Sequence, residues 1–360
     1  MKARLLGTGR ALPGDEIAGA ILDNEGLAGL MGEVRERLSD EAPDVEVLPT
    51  DPKFPERRLG VLRRRVLERS LTVRDMAVEA GRRALADAGV TAESIGAVIV
   101  NTTTPDGLVP VTACTVQDRL GLGEEVAAFD QNLGCNGFLG GLYSAEGTVG
   151  RDPSRPNVLV IAAERMVAVL DASDRATMPV CGDGAGAAVL GPPIDPNGPP
   201  VWMATRGSSG ENITIYAVRG DHPVYRVRTE QGRLFIEPDR VHRFSLAMEG
   251  REVFKDMVRL MPDRIAAYCE RAGVPLDEVD LFLFHQANER MIEGFAERLL
   301  GPEFRSRTPM HIDELGNTSS ATVPILLDQV RKEGRLESGQ KALLCSFGAG
   351  YSMGMTLLDG

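Results

Sequence analysis

The sequence predicts an α/β protein built from a duplicated unit. Three observations carry this. Helix patterns alternate with strand patterns along the chain. Residues 84–102, "ALADAGVTAESIGAVIVNT", align without a gap on residues 268–286, "YCERAGVPLDEVDLFLFHQ", at an offset of 184. A second pair of segments, "GDGAGAAVL" (182–190) and "FGAGYSMGMTLL" (347–358), carries Gly-Ala-Gly ahead of an apolar strand in the same order. Two echoes in one order point to two related halves, and strands alternating with helices point to sheets covered by helices.

The elements follow in chain order. Residues 24–57 are acidic and proline-bearing and fit neither half. They read as an insertion with an amphipathic helix around Leu27–Leu38. Val73, Met76, Ala77, Ala80, Ala84 and Ala88 then recur at helical spacing. Thr72 with Asp75 forms a capping box ahead of them, and Gly89 stands where a helix-stopping glycine belongs. The strand Val98–Val100 follows, and its echo is Phe282–Phe284. Further strands are expected at Val158–Ala162, Ala187–Leu190 and Ala342–Cys345. The Pro/Gly-rich link "GPPIDPNGPP" (191–200) divides the chain into halves at 1–190 and 191–360.

The 360 residues are 43% hydrophobic and 26% charged, enough for a large core or two domains. A net charge of −12 argues against general nucleic-acid or anionic-membrane binding. The five cysteines form no zinc-like pair and no disulfide framework, which suits a reducing cytoplasm. The N-terminus has too short an apolar core for a signal peptide, and no stretch approaches the ~18 apolar residues of a membrane span. "GTGRALP" lacks the third glycine of a dinucleotide fingerprint, and "GDGAGA" precedes a strand, so neither reads as a Rossmann site.

Three residues stand out chemically. Cys135, in "FDQNLGCNGFLGGL", follows a strand-like approach and a turn and precedes a helix of small residues. A helix N-terminus offers backbone N–H groups to an anion and lowers a thiol pKa, yet most free cysteines are core, so both readings stand. Cys114, Cys181, Cys269 and Cys345 lie in helix or strand patterns and read as core. His285 directly follows an apolar strand, where functional groups of α/β sheets gather; the bland reading is a helix-capping histidine. His222, His242 and His311 read as surface residues. Asn317, in "ELGNTSSATVP", has turn chemistry and by itself reads as an ordinary turn. "SFGAGYSMG" is a tight glycine turn, or an exposed backbone N–H for an oxyanion. Arginines 57, 58, 63, 64, 65 and 69 are either a solvated face or a cationic grip.

Taken together, "GTGRALP", "RLGVLRRR", "RDMAVEAGRRALADAG", "TTTPDGLVPVTACTVQDRLG", "GCNGF", "GDGAGAAVL", "MEGREVFK", "FHQAN", "GNTSSATVP" and "FGAGYSMG" resemble the ketoacyl-ACP synthase III family of the thiolase superfamily. The resemblance covers nearly the whole chain outside the 24–57 insertion. It implies a thiolase-like duplicated five-layer αβαβα sandwich, a homodimer, and acyl-CoA, malonyl thioester and acyl carrier protein as partners, with no metal or redox cofactor. It also implies that Cys135 is the acyl-accepting nucleophile, with His285 and Asn317 completing the triad. Backbone N–H groups of Cys135 and Ala349 would form the oxyanion hole. Met248, Phe254 and Asn288 would line the pantetheine arm. Arg58, Arg63 and Arg290 would dock CoA or the carrier.

The sequence departs from the family at Asn136, where relatives usually carry serine, alanine or threonine after the nucleophile. It departs again at Val109, where many relatives place a phenylalanine that limits the acyl pocket across the dimer. Val109 and Asn136 therefore enter as substrate-binding candidates, with Val109 opening a longer acyl site. The resemblance implies a decarboxylative condensing enzyme of fatty-acid initiation or specialised polyketide-type metabolism. Two alternatives keep the fold: an acyltransferase forming an ester or amide, and a non-catalytic synthase subunit.

Overall fold

A computed structural model describes residues 3–41, 51–193, 195, 197–217, 224–239 and 244–360. Two main sheets organise the chain. The first runs, in spatial order, Arg4–Ala11, Asp183–Gly191, Asn157–Arg165, Ile95–Asn101 and Ala127–Gln131. The second runs Trp202–Thr205, Ser352–Asp359, Lys341–Gly348 and Leu281–Phe284. The two match in sense as well as order. Ile95–Asn101 is parallel to Asn157–Arg165, and Leu281–Phe284 is parallel to Lys341–Gly348. The next two strands outward are antiparallel in both. The first sheet has one strand more, Ala127–Gln131, which leads straight to Cys135.

Side-chain alternation along the strands builds the layers. Ala97 and Ile99 face one core with Val158 and Val160, whereas Val98 and Val100 face another with Leu159 and Ile161. The first of these cores also holds Leu139 of helix Gly137–Glu146, Leu326 of helix Thr322–Lys332, and Leu283 and Leu344 of the second sheet. These two helices are thus sandwiched between the sheets. Helix Val73–Ala88 covers the outer face of the first sheet. Helices Gly250–Ala272 and Glu289–Leu300 cover the outer face of the second. The result is five layers, helix–sheet–helix–sheet–helix, as the family resemblance implies.

Local details follow from the residues. The Thr72 N–H donates to Asp75 Oδ2 at 2.7 Å, completing the capping box, and Gly89 closes the helix at φ 61°. The glycines of "GTGRALP" serve close packing. A Cβ on Gly9 would fall 2.4 Å from the carbonyl oxygen of Ala80, so only glycine lets helix Val73–Ala88 sit this low on the strand. The 24–57 segment does contain the expected helix, Asn24–Glu41. Its Leu27, Leu30, Met31, Val34 and Leu38 are buried against Met178, Val180 and Tyr225. Burial of each such side chain contributes ~1.5–3 kcal/mol.

Four expectations are corrected. The second echo is out of register: Gly184-Ala185-Gly186 lies inside strand Asp183–Gly191, whereas Gly348-Ala349-Gly350 straddles the end of one strand and the turn before the next. Cys114 is exposed, on the outer side of helix Thr112–Arg119; Cys181, Cys269 and Cys345 are buried. His311 is buried, because its backbone starts the short helix Ile312–Leu315 inside the fold. The arginine run is no continuous rim. Arg64 is fully buried and donates to the carbonyls of Leu22 and Pro179, and Arg65 is buried against Asp15. His222 and His242 lie outside the described residues.

Candidate active site

Chain geometry brings the two halves together at one cavity of ≈ 300 Å³. From the first half, strand Ala127–Gln131 ends in a short loop, and the tight turn Gly134–Asn136 presents Cys135 ahead of helix Gly137–Glu146. From the second, strand Leu281–Phe284 ends at His285, whose N–H donates to the carbonyl of Cys345 at 2.9 Å. Asn317 is fixed by its own N–H, which donates to the Val180 carbonyl at 2.9 Å. Its Oδ1 accepts from the Ser319 N–H at 2.8 Å. Cys135, His285 and Asn317 all line the cavity, as do Ala349, Met248, Phe254 and Asn288. Met166, Val180, Ile215, Leu246 and Met257 give it an apolar wall suited to an acyl chain.

Cys135 Sγ lies 3.5 Å from Ser319 Oγ, whose one hydrogen goes either to the sulfur or to Glu164, and the Cys135 carbonyl accepts from Ser346 Oγ at 2.8 Å. The thiol looks into the cavity but is otherwise ringed by protein. Burial pushes it up to about 11; the Ser319 bond acts the other way, and the Glu164 charge adds to the rise. Gly348 lies against it: a Cβ there would fall 2.7 Å from Cys135 Cβ and 2.9 Å from its N. That close approach brings the Gly348–Ala349 turn beside Cys135. His285 Nδ1 lies 2.6 Å from Thr322 Oγ1, and its ring meets the Phe347 ring edge-on at 5.4 Å. Burial, helped by His311, pulls His285 down to about 3, so the imidazole is neutral at physiological pH.

Asn288 caps helix Glu289–Leu300, its Oδ1 accepting from the Met291 N–H, while its Nδ2 donates to the Arg58 carbonyl at 3.3 Å. This joins the Arg58 backbone to Asn288, which lines the cavity; the Arg58 and Arg290 side chains are exposed. Arg63 is exposed and paired with Glu314 at 3.2 Å. Two candidates are not brought in. Asn136 is fully buried, with its Nδ2 on Met203 Sδ and its Oδ1 without a partner, so it is removed from the substrate wall. Its position at the helix start turns it into the core rather than the cavity. Val109 is 87% exposed and does not reach the cavity of its own chain.

The sequence reading missed Ser319, Thr322 and Glu164. Glu164 is fully buried at the end of strand Asn157–Arg165. Its Oε2 accepts from Thr103 Oγ1 at 2.7 Å, the Thr103 N–H at 3.0 Å and Thr104 Oγ1 at 3.1 Å. Its Oε1 accepts from Ser320 Oγ at 2.5 Å and Ser319 Oγ at 3.4 Å. A carboxylate directly after an apolar strand was the available signal. For Ser319 the signal was the duplication itself: it stands 184 residues after Cys135, at the offset of the echo.

The duplicated five-layer fold, with its cavity where the halves meet, is that of the thiolase-like condensing enzymes. Comparison with known proteins fixes the family. The family model described as 3-Oxoacyl-[acyl-carrier-protein (ACP)] synthase III matches residues 129–210, and its C-terminal counterpart matches residues 269–359. The beta-ketoacyl-[acyl-carrier-protein] synthase III of Nitratidesulfovibrio vulgaris is 36% identical over 338 residues, covering 92% of this chain and 98% of that protein. The priming beta-ketosynthase of the R1128 polyketide biosynthetic pathway superposes with a TM-score of 0.82 at 30% identity, covering 99% of this chain and 96% of that one. The 3-oxoacyl-[acyl-carrier-protein] synthase III of Aquifex aeolicus does so with 0.77 at 31% identity, covering 99% and 100%. The chain belongs to the β-ketoacyl-ACP synthase III family.

Proposed function

We propose that the chain condenses an acyl group with a malonyl thioester, with loss of carbon dioxide, to give a β-ketoacyl product. One observation supports this above others: Cys135, His285 and Asn317, from both halves, line a single apolar-walled cavity. The Cys135 thiolate attacks an acyl-CoA or acyl-carrier thioester, and the carrier thiol leaves. The Cys135 and Ala349 N–H groups hold the tetrahedral oxyanion; losing one such donor costs ~3 kcal/mol. Malonyl thioester then binds. His285, neutral, donates through Nε2–H to the thioester oxygen, which requires the Thr322 hydroxyl to turn its one hydrogen from the Ser319 carbonyl, 3.0 Å away, to Nδ1. Asn317 donates beside it. The oxygen gains enolate charge as carbon dioxide departs, and the carbanion attacks acyl-Cys135. The sequence needs thioester substrates and neither metal nor redox cofactor.

In this reading residues 1–190 supply the nucleophile and residues 191–360 the decarboxylating pair. Met248, Phe254 and Asn288 flank the pantetheine arm, and Arg58 and Arg290 meet carrier phosphate or an acidic carrier protein. The same reading makes the enzyme a homodimer with Val109 at the partner's acyl site; the 87% exposure of Leu108 and Val109 supports it by leaving two apolar side chains for a second copy to cover. No described helix is long and apolar enough to cross a membrane. The test is intact-protein mass spectrometry after exposure to acetyl-, hexanoyl- and decanoyl-CoA and acyl-carrier donors, with Cys135→Ala as control, followed by carbon dioxide release from malonyl thioester. An acyl adduct lost in the variant, and decarboxylation coupled to it, is expected. Acylation without carbon dioxide release would overturn the condensing step.

A further inference from the structure

Acylation requires the Cys135 proton to go somewhere, and the obvious acceptor is poorly placed for it. His285 has its Nδ1 engaged by Thr322, and burial holds the ring neutral and reluctant to take a proton. Among the described hydrogen bonds, the only side-chain partner of Cys135 Sγ is Ser319 Oγ, at 3.5 Å. That same hydroxyl lies 3.4 Å from Glu164 Oε1. Glu164 is fully buried, and every partner described for it is a neutral donor: the hydroxyls of Thr103, Thr104, Ser319 and Ser320 and the Thr103 N–H. Among the described residues no cation pairs with it. Burial raises the Glu164 carboxyl above the usual carboxylate range, against the lowering effect of the hydrogen bonds donated to it.

We propose that Ser319 and Glu164 form the proton path of the nucleophile, Ser319 relaying the Cys135 proton to Glu164. This rests on Cys135 being the acyl acceptor. The S–H bond of Cys135 breaks as an O–H bond forms on Ser319, whose own proton moves to Glu164 Oε1. The freed sulfur pair forms the bond to the acyl carbon, and the carbon–sulfur bond to the carrier breaks. The departing carrier thiolate takes the proton back from Glu164 through Ser319. The product is acyl-Cys135 and free carrier thiol, with the carboxylate restored. Ser320 and the two threonines hold Glu164 in place, and Glu164 acts only through Ser319. Duplication explains the hydroxyl's position: Ser319 stands in the second half where Cys135 stands in the first, and the two meet where the halves join.

Two readouts on the full chain test this. The first is the single-turnover rate of Cys135 acylation by acetyl-, hexanoyl- and decanoyl-CoA. The second is the rate of Cys135 alkylation by iodoacetamide, and both rates are read from about pH 6 to about pH 9. Glu164→Gln is expected to slow acylation tenfold or more, within the roughly 10²–10⁴-fold range of positioned proton transfer. It is also expected to slow alkylation, because the same proton must leave whichever electrophile the sulfur meets, and both losses are expected to shrink as pH rises and solvent base takes that proton. A residue that merely props the site would leave a loss that pH does not recover. Ser319→Gly, tolerated at φ 53°, is expected to slow acylation as much, and the double variant no more than either alone. Variants acylated at the wild-type rate, additive losses, or a Glu164→Gln loss that stays constant with pH overturn the relay. A wild-type chain that no donor acylates overturns the functional reading and the relay with it.

Discussion

The two halves offer the same positions to chemistry and fill them differently. Ile95–Asn101 and Leu281–Phe284 lead to equivalent points 184 residues apart, Asn101 and His285. Asn101 is fully buried beneath the start of helix Gly137–Glu146: a Cβ on Gly137 would collide with its amide. His285, equally shielded from bulk water, lines the cavity. Cys135 and Ser319 are a second such pair, each ahead of a helix that lies between the sheets. Only Cys135 has the Gly348–Ala349 backbone packed against it. Position in the duplicated scaffold therefore does not by itself single out Cys135. In the proposed reaction, the neighbouring backbone that can receive an oxyanion does.

Exchanging the pair is the most severe test of that conclusion. Cys135→Ser with Ser319→Cys keeps one thiol in the cavity but moves it away from the Gly348–Ala349 backbone. The expected result is a loss of acylation of at least ~10²–10³-fold, the scale of losing an oxyanion donor. Peptide mapping after acyl-CoA exposure reads it. Acylation of residue 319 near the wild-type rate would break the comparison.

The strand-end pair gives the next largest effect. His285→Ala is expected to cost ~10²-fold or more in malonyl decarboxylation while Cys135 still acylates, because the proposed reaction has His285 act on the second substrate. Asn101→Ala is expected to cost ~1–3 kcal/mol of stability through lost buried hydrogen bonding, without separating the two half-reactions. Carbon dioxide release, acyl-adduct formation and chemical denaturation distinguish the outcomes. An Asn101 variant that acylates but fails to decarboxylate would mean that both strand ends serve the chemistry.

Much of this was legible in the residues because local rules and tertiary demands agreed. The capping box at Thr72–Asp75, the αL stop at Gly89 and the buried strands are short-range signals, and the structure shows each one. Cys135, His285 and Asn317 stood out because each ends an element at a turn. What failed to show were residues whose role depends on distant neighbours. Arg64 and Arg65 belong to a basic run on paper, yet strand pairing turns both inward onto carbonyls and Asp15. Asn136 sits next to a cavity residue but points into the core. Glu164 escaped because its donors come from residues 103, 104, 319 and 320, which no spacing rule brings together.

The smallest expected effect concerns acid, and it too separates the halves. All four histidines fall in residues 191–360. Burial holds both described ones, His285 and His311, down at about 3 in the folded chain. Unfolded, each would titrate near 6.5 and bind a proton that the native state refuses. Stability from these histidines is therefore complete above ~6.5 and is lost as pH falls toward 3, by up to ~1.4 kcal/mol per pH unit for each. Asp183 in the first half responds in the opposite sense. Burial raises it to about 6, above the ~3.9 of an unfolded aspartate, so its ionisation costs stability as pH rises through that window and the cost is relieved in acid. Asp75 and Glu79, held below the usual carboxylate range by Thr72 and Arg119 and by Arg82 and Arg83, lose stability in acid as the histidines do. His311→Gln isolates one arm without touching the cavity. Denaturant unfolding between pH 7.5 and 5 is expected to show the variant losing less stability than wild type below pH ~6.5, with the gap widening as pH falls. A gap that stays constant with pH would mean that His311 titrates alike folded and unfolded, and that its burial contributes nothing to the acid response.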